Sequence, residues 1–126
     1  MSAFATLTLK NSANVDVSFV PSAIDQNGVA NWMTSAASFD AKQKASLAVK
    51  LPKNGSSVVR VSGRIMQPVM DAVDTTKRVA EGVANFELIL PKQMTETDRL
   101  DLRKKLETLL TNAVSTAAVQ NFESIY

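Results

Sequence analysis

Neither cysteine nor histidine occurs among the 126 residues. Without cysteine there is no disulfide framework and no thiol nucleophile. Without histidine the commonest general base is missing, and zinc fingers and most transition-metal sites go with it. No stretch approaches the roughly 18 apolar residues that a membrane helix needs. Met1 to Lys10 alternates apolar and polar residues instead of following a basic segment with an unbroken apolar one, so a signal peptide is not expected. Strong charge of either sign is absent too: 14 basic against 12 acidic side chains leave a net charge of +2. That total neither requires nor forbids a nucleic-acid partner, and the placement of the charges must decide.

What is present is 45% hydrophobic and 21% charged residues, the make-up of one globular domain spanning residues 1–126. Three-quarters of the chain reads as short strands. Ala5, Leu7 and Leu9 alternate with Thr6, Thr8 and Lys10; beyond Asn11-Ser12-Ala13-Asn14, Val15, Val17 and Phe19 alternate with Asp16 and Ser18. Such a pair with a short polar link is an antiparallel hairpin, and Pro21 is expected to end it. Asp25-Gln26-Asn27-Gly28 reads as a turn before a third strand, Val29 to Met33, and Thr34 to Ala41 reads as loop. Lys44 to Leu51 and Ser57 to Met66 alternate cleanly on either side of the turn Pro52-Lys53-Asn54-Gly55. Gly63, among apolar positions, marks a bulge or a close backbone approach. Gln67 to Gly82 is irregular, either a long hairpin tip or, over Asp71 to Ala84, a short helix. Val83 to Leu90 is the last strand, stopped by Pro91.

The remainder is helical. Thr95 is placed to cap a helix with Glu96 and Asp98 in its first turn, where the helix dipole favours acids. Leu102, Leu106, Leu109, Leu110 and Ala113 recur at helical spacing, and Ser115 or Thr116 can cap a second helix carrying Val119 and Phe122. The plan is α+β: an antiparallel sheet of about six strands, N-terminal hairpin first, followed by two C-terminal helices. It contains a deficit. One short helical tail must cover strands about 20 Å long, while the edge strand Val83 to Leu90 is left bare, which natural proteins avoid. A second copy would remove that edge, with Phe86, Leu88 and Leu90 on the strand and Leu106 and Leu110 on the helix as the expected interface.

Alternation places Lys44, Lys50, Arg60 and Arg64 on one face of the sheet with Ser46 and Ser62 between them, and Asn85 and Glu87 join from the last strand. Lysine and arginine attract phosphates of any sequence, while serine, asparagine and glutamate hydrogen-bond sugars and exposed base edges. The competing reading is a face that simply meets water, since many antiparallel sheets have one. No stacking aromatic stands among these positions. Trp32, beside Val29 and Met33, is expected in the core. Asp71, Asp74 and Glu81 lack the spacing of a calcium loop and are expected in solvent, as are Glu107 and Glu123. Ser56-Ser57 and Ser62-Gly63 are no nucleophile elbow. No catalytic residue, metal site or cofactor is expected.

Three strings carry a resemblance. Asn27-Gly28-Val29-Ala30-Asn31-Trp32 resembles the Asn-Gly-Val-Ala-Glu-Trp segment of levivirus coat proteins; Ala84-Asn85-Phe86-Glu87-Leu88-Ile89-Leu90-Pro91 is similar to that family's last strand; Ser124-Ile125-Tyr126 is similar to its terminal Gly-Ile-Tyr. The resemblance implies a non-enzymatic dimer in which two sheets join edge to edge and the helices of each subunit interlock over the other. It further implies an icosahedral shell with the open sheet face inward on single-stranded genomic RNA. Other implied features are repression of replicase translation through an RNA hairpin, a maturation protein as partner, and a place in the virion after assembly in the host bacterial cytoplasm. Residue by residue, Asn85 and Glu87 match the family's RNA-contacting pair, Ser46 a contacting threonine, and Ser62 and Arg64 a threonine and a lysine. Gln67 to Gly82 corresponds to a loop that changes shape between shell positions. Val83 departs from the family, where many members carry a base-stacking tyrosine, and Ala48 replaces a polar contact residue. Thr111 to Thr116 lacks the Asn-Pro turn often found between the helices. The alternatives are a dimeric RNA-binding regulator that never assembles, and a small-molecule-binding or enzymatic α+β domain.

Overall fold

The computed structural model describes residues 4–36, 38–52 and 57–124. Six antiparallel strands lie side by side in chain order: β1 (Leu7–Lys10), β2 (Asp16–Ile24), β3 (Ala30–Met33), β4 (Lys44–Lys50), β5 (Val58–Met70) and β6 (Arg78–Pro91). Helices α1 (Glu96–Thr111) and α2 (Ala113–Asn121) follow, and a single 3₁₀ turn, Phe39–Ala41, stands between β3 and β4. No helix among the described residues is long and apolar enough to cross a membrane.

Asparagine and aspartate side chains build the first two turns. Asn11 Oδ1 accepts the N–H groups of Ala13 and Val15 at 3.0 and 3.1 Å, and Asn14 takes up φ 61°. Asp25 Oδ1 likewise accepts from Asn27 at 2.8 Å and Val29 at 3.0 Å, and the chain closes through Gly28 at φ 76°, a conformation glycine adopts without strain. At the start of α1, Thr95 Oγ1 accepts the Asp98 N–H at 3.2 Å, which is the expected cap.

Several expectations need correction. Pro21 does not end its strand: β2 runs on to Ile24, with a register shift between Pro21 and Ala23. Among the described residues the pairing of β1 stops at Phe19, so beyond it β2 pairs with β3 alone, and a bulge there tolerates the missing N–H. The irregular stretch from Gln67 to Gly82 is neither a long loop nor a helix. Pairing continues through Gln67↔Gly82 and Pro68↔Glu81 to Met70↔Arg78, leaving a short tip, residues 71–77. Asn112, not Ser115 or Thr116, caps α2, its Oδ1 accepting the Val114 N–H at 3.0 Å. The turn expected at Pro52-Lys53-Asn54-Gly55 falls largely outside the described residues.

The closed part of the core sits at the β1 end. Phe19, 2% exposed, is packed with Trp32 and Ala45, and Leu7, Leu9, Val17 and Ala30 close around them. Trp32 Nε1 donates to the Ala5 carbonyl at 2.8 Å, and the Phe4 ring meets the indole edge-on at 5.3 Å. The same face of the sheet is bare at the other end. Registers carry Ala45 to Ile65, and Leu47 through Gly63 to Phe86, yet Leu47, Val49, Ile65 and Phe86 are exposed. Gly63 marks a close approach and not a bulge, since a Cβ there would run into the Phe86 ring.

The helices do not fill the gap. Neither contains a buried residue; they touch each other and make no broad contact with the sheet. Leu100, Leu109, Leu110, Val114, Val119 and Phe122 face water. The chain accordingly exposes 9822 Å², whereas a compact monomer of this size exposes about 6,600 Å². The excess, roughly 3,000 Å², is of the order an obligate subunit interface buries.

Candidate nucleic-acid interface

The face opposite the apolar one is organised in rows, because facing residues of neighbouring strands point the same way. One row reads Asn31, Ser46, Arg64, Asn85 across β3 to β6. The next reads Ala48, Ser62, Glu87, and the one beyond it Lys50, Arg60, Ile89. On the other side of the first lies Met33, Lys44, Met66, Val83. All eight polar residues expected on this face are therefore on it.

They are not equivalent. Ser46, Lys50, Ser62, Arg64, Asn85 and Glu87 line one shallow depression of about 550 Å³, floored by Ala48, which is buried. Arg60 lies outside that lining and pairs diagonally with Glu87, Nη1 to Oε1 at 2.9 Å. Both side chains are half-exposed, so the pair contributes little to stability, about 0.2–1 kcal/mol. Its effect is on charge: it withdraws one cation from the surface and fixes the glutamate. Among the described residues, Lys44, Lys50 and Arg64 form no ion pair. Lys44 stands apart from the depression, its Nζ 4.8 Å from the centre of the Phe39 ring. Phe39 was not expected at this face; its place depends on the 3₁₀ turn, which no period in the sequence announces.

The expected interface residues divide as well. Phe86, Leu88 and Leu106 face one another across an open groove of about 450 Å³ between β6 and α1, which Leu102 and Leu109 also line. Leu90 is half-buried in β6, while Leu110 projects away, 67% exposed. The outer edge of β6 has no paired strand among the described residues.

The acids of the β5–β6 tip serve the turn itself. Asp71 Oδ1 accepts the N–H groups of Val73 at 2.8 Å and Asp74 at 3.3 Å; Asp74 Oδ1 accepts the Thr76 hydroxyl at 2.6 Å and its N–H at 3.1 Å. These donors hold both carboxyls below the usual aspartate value, the Val73 N–H leading for Asp71 and the Thr76 hydroxyl for Asp74. Among the described residues, no group of three or more acids is placed to hold a metal ion.

Comparison with known proteins bears on the whole chain. The family model described as levivirus coat protein matches residues 2–126. No curated protein matches the chain in sequence. Among solved structures, the virus-like particle of Beihai levi-like virus 21 superposes with a TM-score of 0.91 at 21% identity, with 99% of each chain covered. The virus-like particle of bacteriophage NT-214 gives 0.85 at 24% identity, covering 99% of this chain and 100% of its own. An unassembled coat protein dimer, described as a bacteriophage RNA-binding dimer, gives 0.75 at 17% identity with 99% of each chain covered. At these identities the likeness is one of fold.

Proposed function

Since the chain belongs to the levivirus coat protein family, we propose that two copies join through their β6 edges into one continuous sheet and that such dimers build an icosahedral shell. In this reading the helices of each copy lie over the bare apolar face of the other. The observation that carries it is the simultaneous exposure of that face (Leu47, Val49, Ile65, Phe86) and of the helical leucines, beside a fourteen-residue strand whose outer edge has no partner among the described residues. One chain has both halves of a core and does not bring them together. Phe86, Leu88, Leu90, Leu106 and Leu110 are the interface residues this arrangement needs.

The polar face then looks inward on single-stranded RNA. Lys44, Lys50 and Arg64 supply sequence-independent attraction; Ser46, Ser62 and Asn85 offer hydrogen bonds to bases and sugars. Arg60 and Glu87 act as a pair, with Glu87 positioned by the arginine to accept from a base amino group. Repression of replicase translation by gripping a hairpin at its start, and a maturation protein as a further partner, are the finer parts of the same reading. They place the chain in the virion, after assembly in the bacterial cytoplasm.

Expression of the chain alone tests this. The expected product is a megadalton particle, visible by electron microscopy and absorbing strongly at 260 nm. A dimer that binds RNA without assembling would replace the shell by a regulator of the same fold. An RNA-free monomer would overturn both. For repression, Asn85→Ala should cost about 1–3 kcal/mol on the hairpin spanning the replicase start and little on random RNA. Equal losses on the two RNAs would remove the repressor role and leave the shell.

A further inference from the structure

The polar face has a second feature beyond its hydrogen-bonding depression. The 3₁₀ turn between β3 and β4 carries Phe39 out to 64% exposure at the margin of this face. There the ring borders a smaller depression of about 360 Å³ shared with Asn31, Met33 and Lys44. Two ammonium groups lie over the ring, Lys44 Nζ at 4.8 Å and Lys42 Nζ at 5.9 Å from its centre, so the π-face already holds cations by electrostatic attraction. The turn is held in place: the Ser38 hydroxyl donates to the Thr76 carbonyl of the β5–β6 tip at 3.2 Å, and the Lys42 N–H donates to the Phe39 carbonyl at 3.2 Å.

We propose that Phe39 is a stacking platform for an unpaired base of single-stranded RNA, with Lys42 and Lys44 neutralising the phosphates on either side of that base. The inference rests on the reading that the polar face binds RNA, and it names a contact that the eight residues of that face do not include. The chemistry fits the place. A flat aromatic surface binds any base by its π-face, and a base that takes the ring turns the two flexible lysines off it toward the backbone phosphates. Lys44 and Ser46 lie two positions apart on one strand face, about 7 Å, so a base on Phe39 and a neighbouring nucleotide over the Ser46 row are compatible with one continuous strand. The row containing Lys44 is otherwise Met33, Met66 and Val83, an apolar floor that offers a base no competing hydrogen bonds. The last strand brings no ring to this face, since Phe86 points to the other side beside Gly63.

RNA-free dimer is titrated with oligoadenylate and with a length-matched abasic ribose-phosphate strand at several salt concentrations. The intact protein should prefer oligoadenylate. Phe39→Leu should lose roughly 5- to 100-fold on oligoadenylate and nothing on the abasic strand, at an unchanged salt slope. Lys44→Ala should lower that slope by about one for both strands. Phe39→Trp should keep the preference, and its exposed indole should be quenched on binding, distinguishable from the buried Trp32. Equal binding of both strands by Phe39→Leu and the intact protein overturns the proposal. So does a Phe39→Leu defect confined to particle formation, which would make the ring a contact between copies. If Lys50→Ala and Arg64→Ala weaken binding while Phe39→Leu does not, only the stacking platform fails. If none of the three has any effect, the RNA reading of the face fails with it.

Discussion

The two edges of this sheet differ in a way that divides the whole molecule. At one edge β1 is four residues long, ends on Lys10 paired with Asp16 at 2.7 Å, and lies against the closed cluster of Phe19, Trp32 and Ala45. At the other, β6 runs for fourteen residues beside a groove, with exposed leucines on the helix across from it. A short, charged strand is a standard protection against unwanted pairing; a long bare one invites it. The β1 end of the sheet thus closes a core of its own, and the β6 end and the helices leave their apolar surface bare. Stability at the first end should follow ordinary packing rules, and stability at the second should depend on association.

Substitutions at the two ends separate these regimes. Phe19→Ala should have the largest effect, a loss of about 3–5 kcal/mol, because it opens a cavity in the closed cluster around Trp32 and Ala45. Urea unfolding measures it, and a loss under about 1 kcal/mol would show that this end is not closed either. Leu110→Ala comes next. On the surface of an isolated chain it would change stability by less than about 0.5 kcal/mol. Buried against a second copy it should cost about 2 kcal/mol or more, seen as a midpoint that depends on protein concentration. Gly63→Ala probes the junction of the two regions: the new methyl meets the Phe86 ring and should cost about 1–3 kcal/mol. Phe86→Leu should restore part of that loss, and a double-mutant cycle without coupling would contradict the contact.

The smallest expected effect is in the β5–β6 tip. Hydrogen bonds to Asp71 and Asp74 hold their carboxyls below the usual aspartate value near 3.8. Because the folded values are depressed, the stabilisation is complete above that usual value and disappears as pH falls through the lowered ones. The tip should therefore keep its shape through mildly acidic conditions and loosen only below about pH 3.8. The amide shifts of Val73 and Thr76 would report this, and a transition nearer neutral pH would be inconsistent with it.

Much of the sheet was legible from alternation. A period of two assigns each residue to a face once the strand is found, so Lys44, Ser46, Ser62, Arg64 and Asn85 fall together without any knowledge of register. Strand lengths were harder, for local reasons. Pro21 reads as a stop because a proline in a regular ladder would be one; the register shift that lets β2 pass it is a tertiary fact. The stretch around residues 67–82 reads as irregular because its two arms are interrupted by an aspartate-built tip, and only the partner arm reveals the ladder. The diagonal Arg60–Glu87 pair follows from register, which alternation does not supply. Phe39 lay in a small-residue segment with no period, and only the turn geometry places its ring beside Lys44.

The inequality of the edges also bears on how far association can go. A sheet with two receptive edges is a monomer for a fibre, since every added copy presents a fresh edge to the next. Here one edge is blunted. When one β6 meets another about a two-fold axis, each consumes the other, and the joined sheet is bounded at both ends by a short β1. Strand pairing then terminates at two copies by symmetry alone. Growth into anything larger must use other surfaces, which keeps the geometry of a closed particle separate from the hydrogen-bonding appetite of its strands.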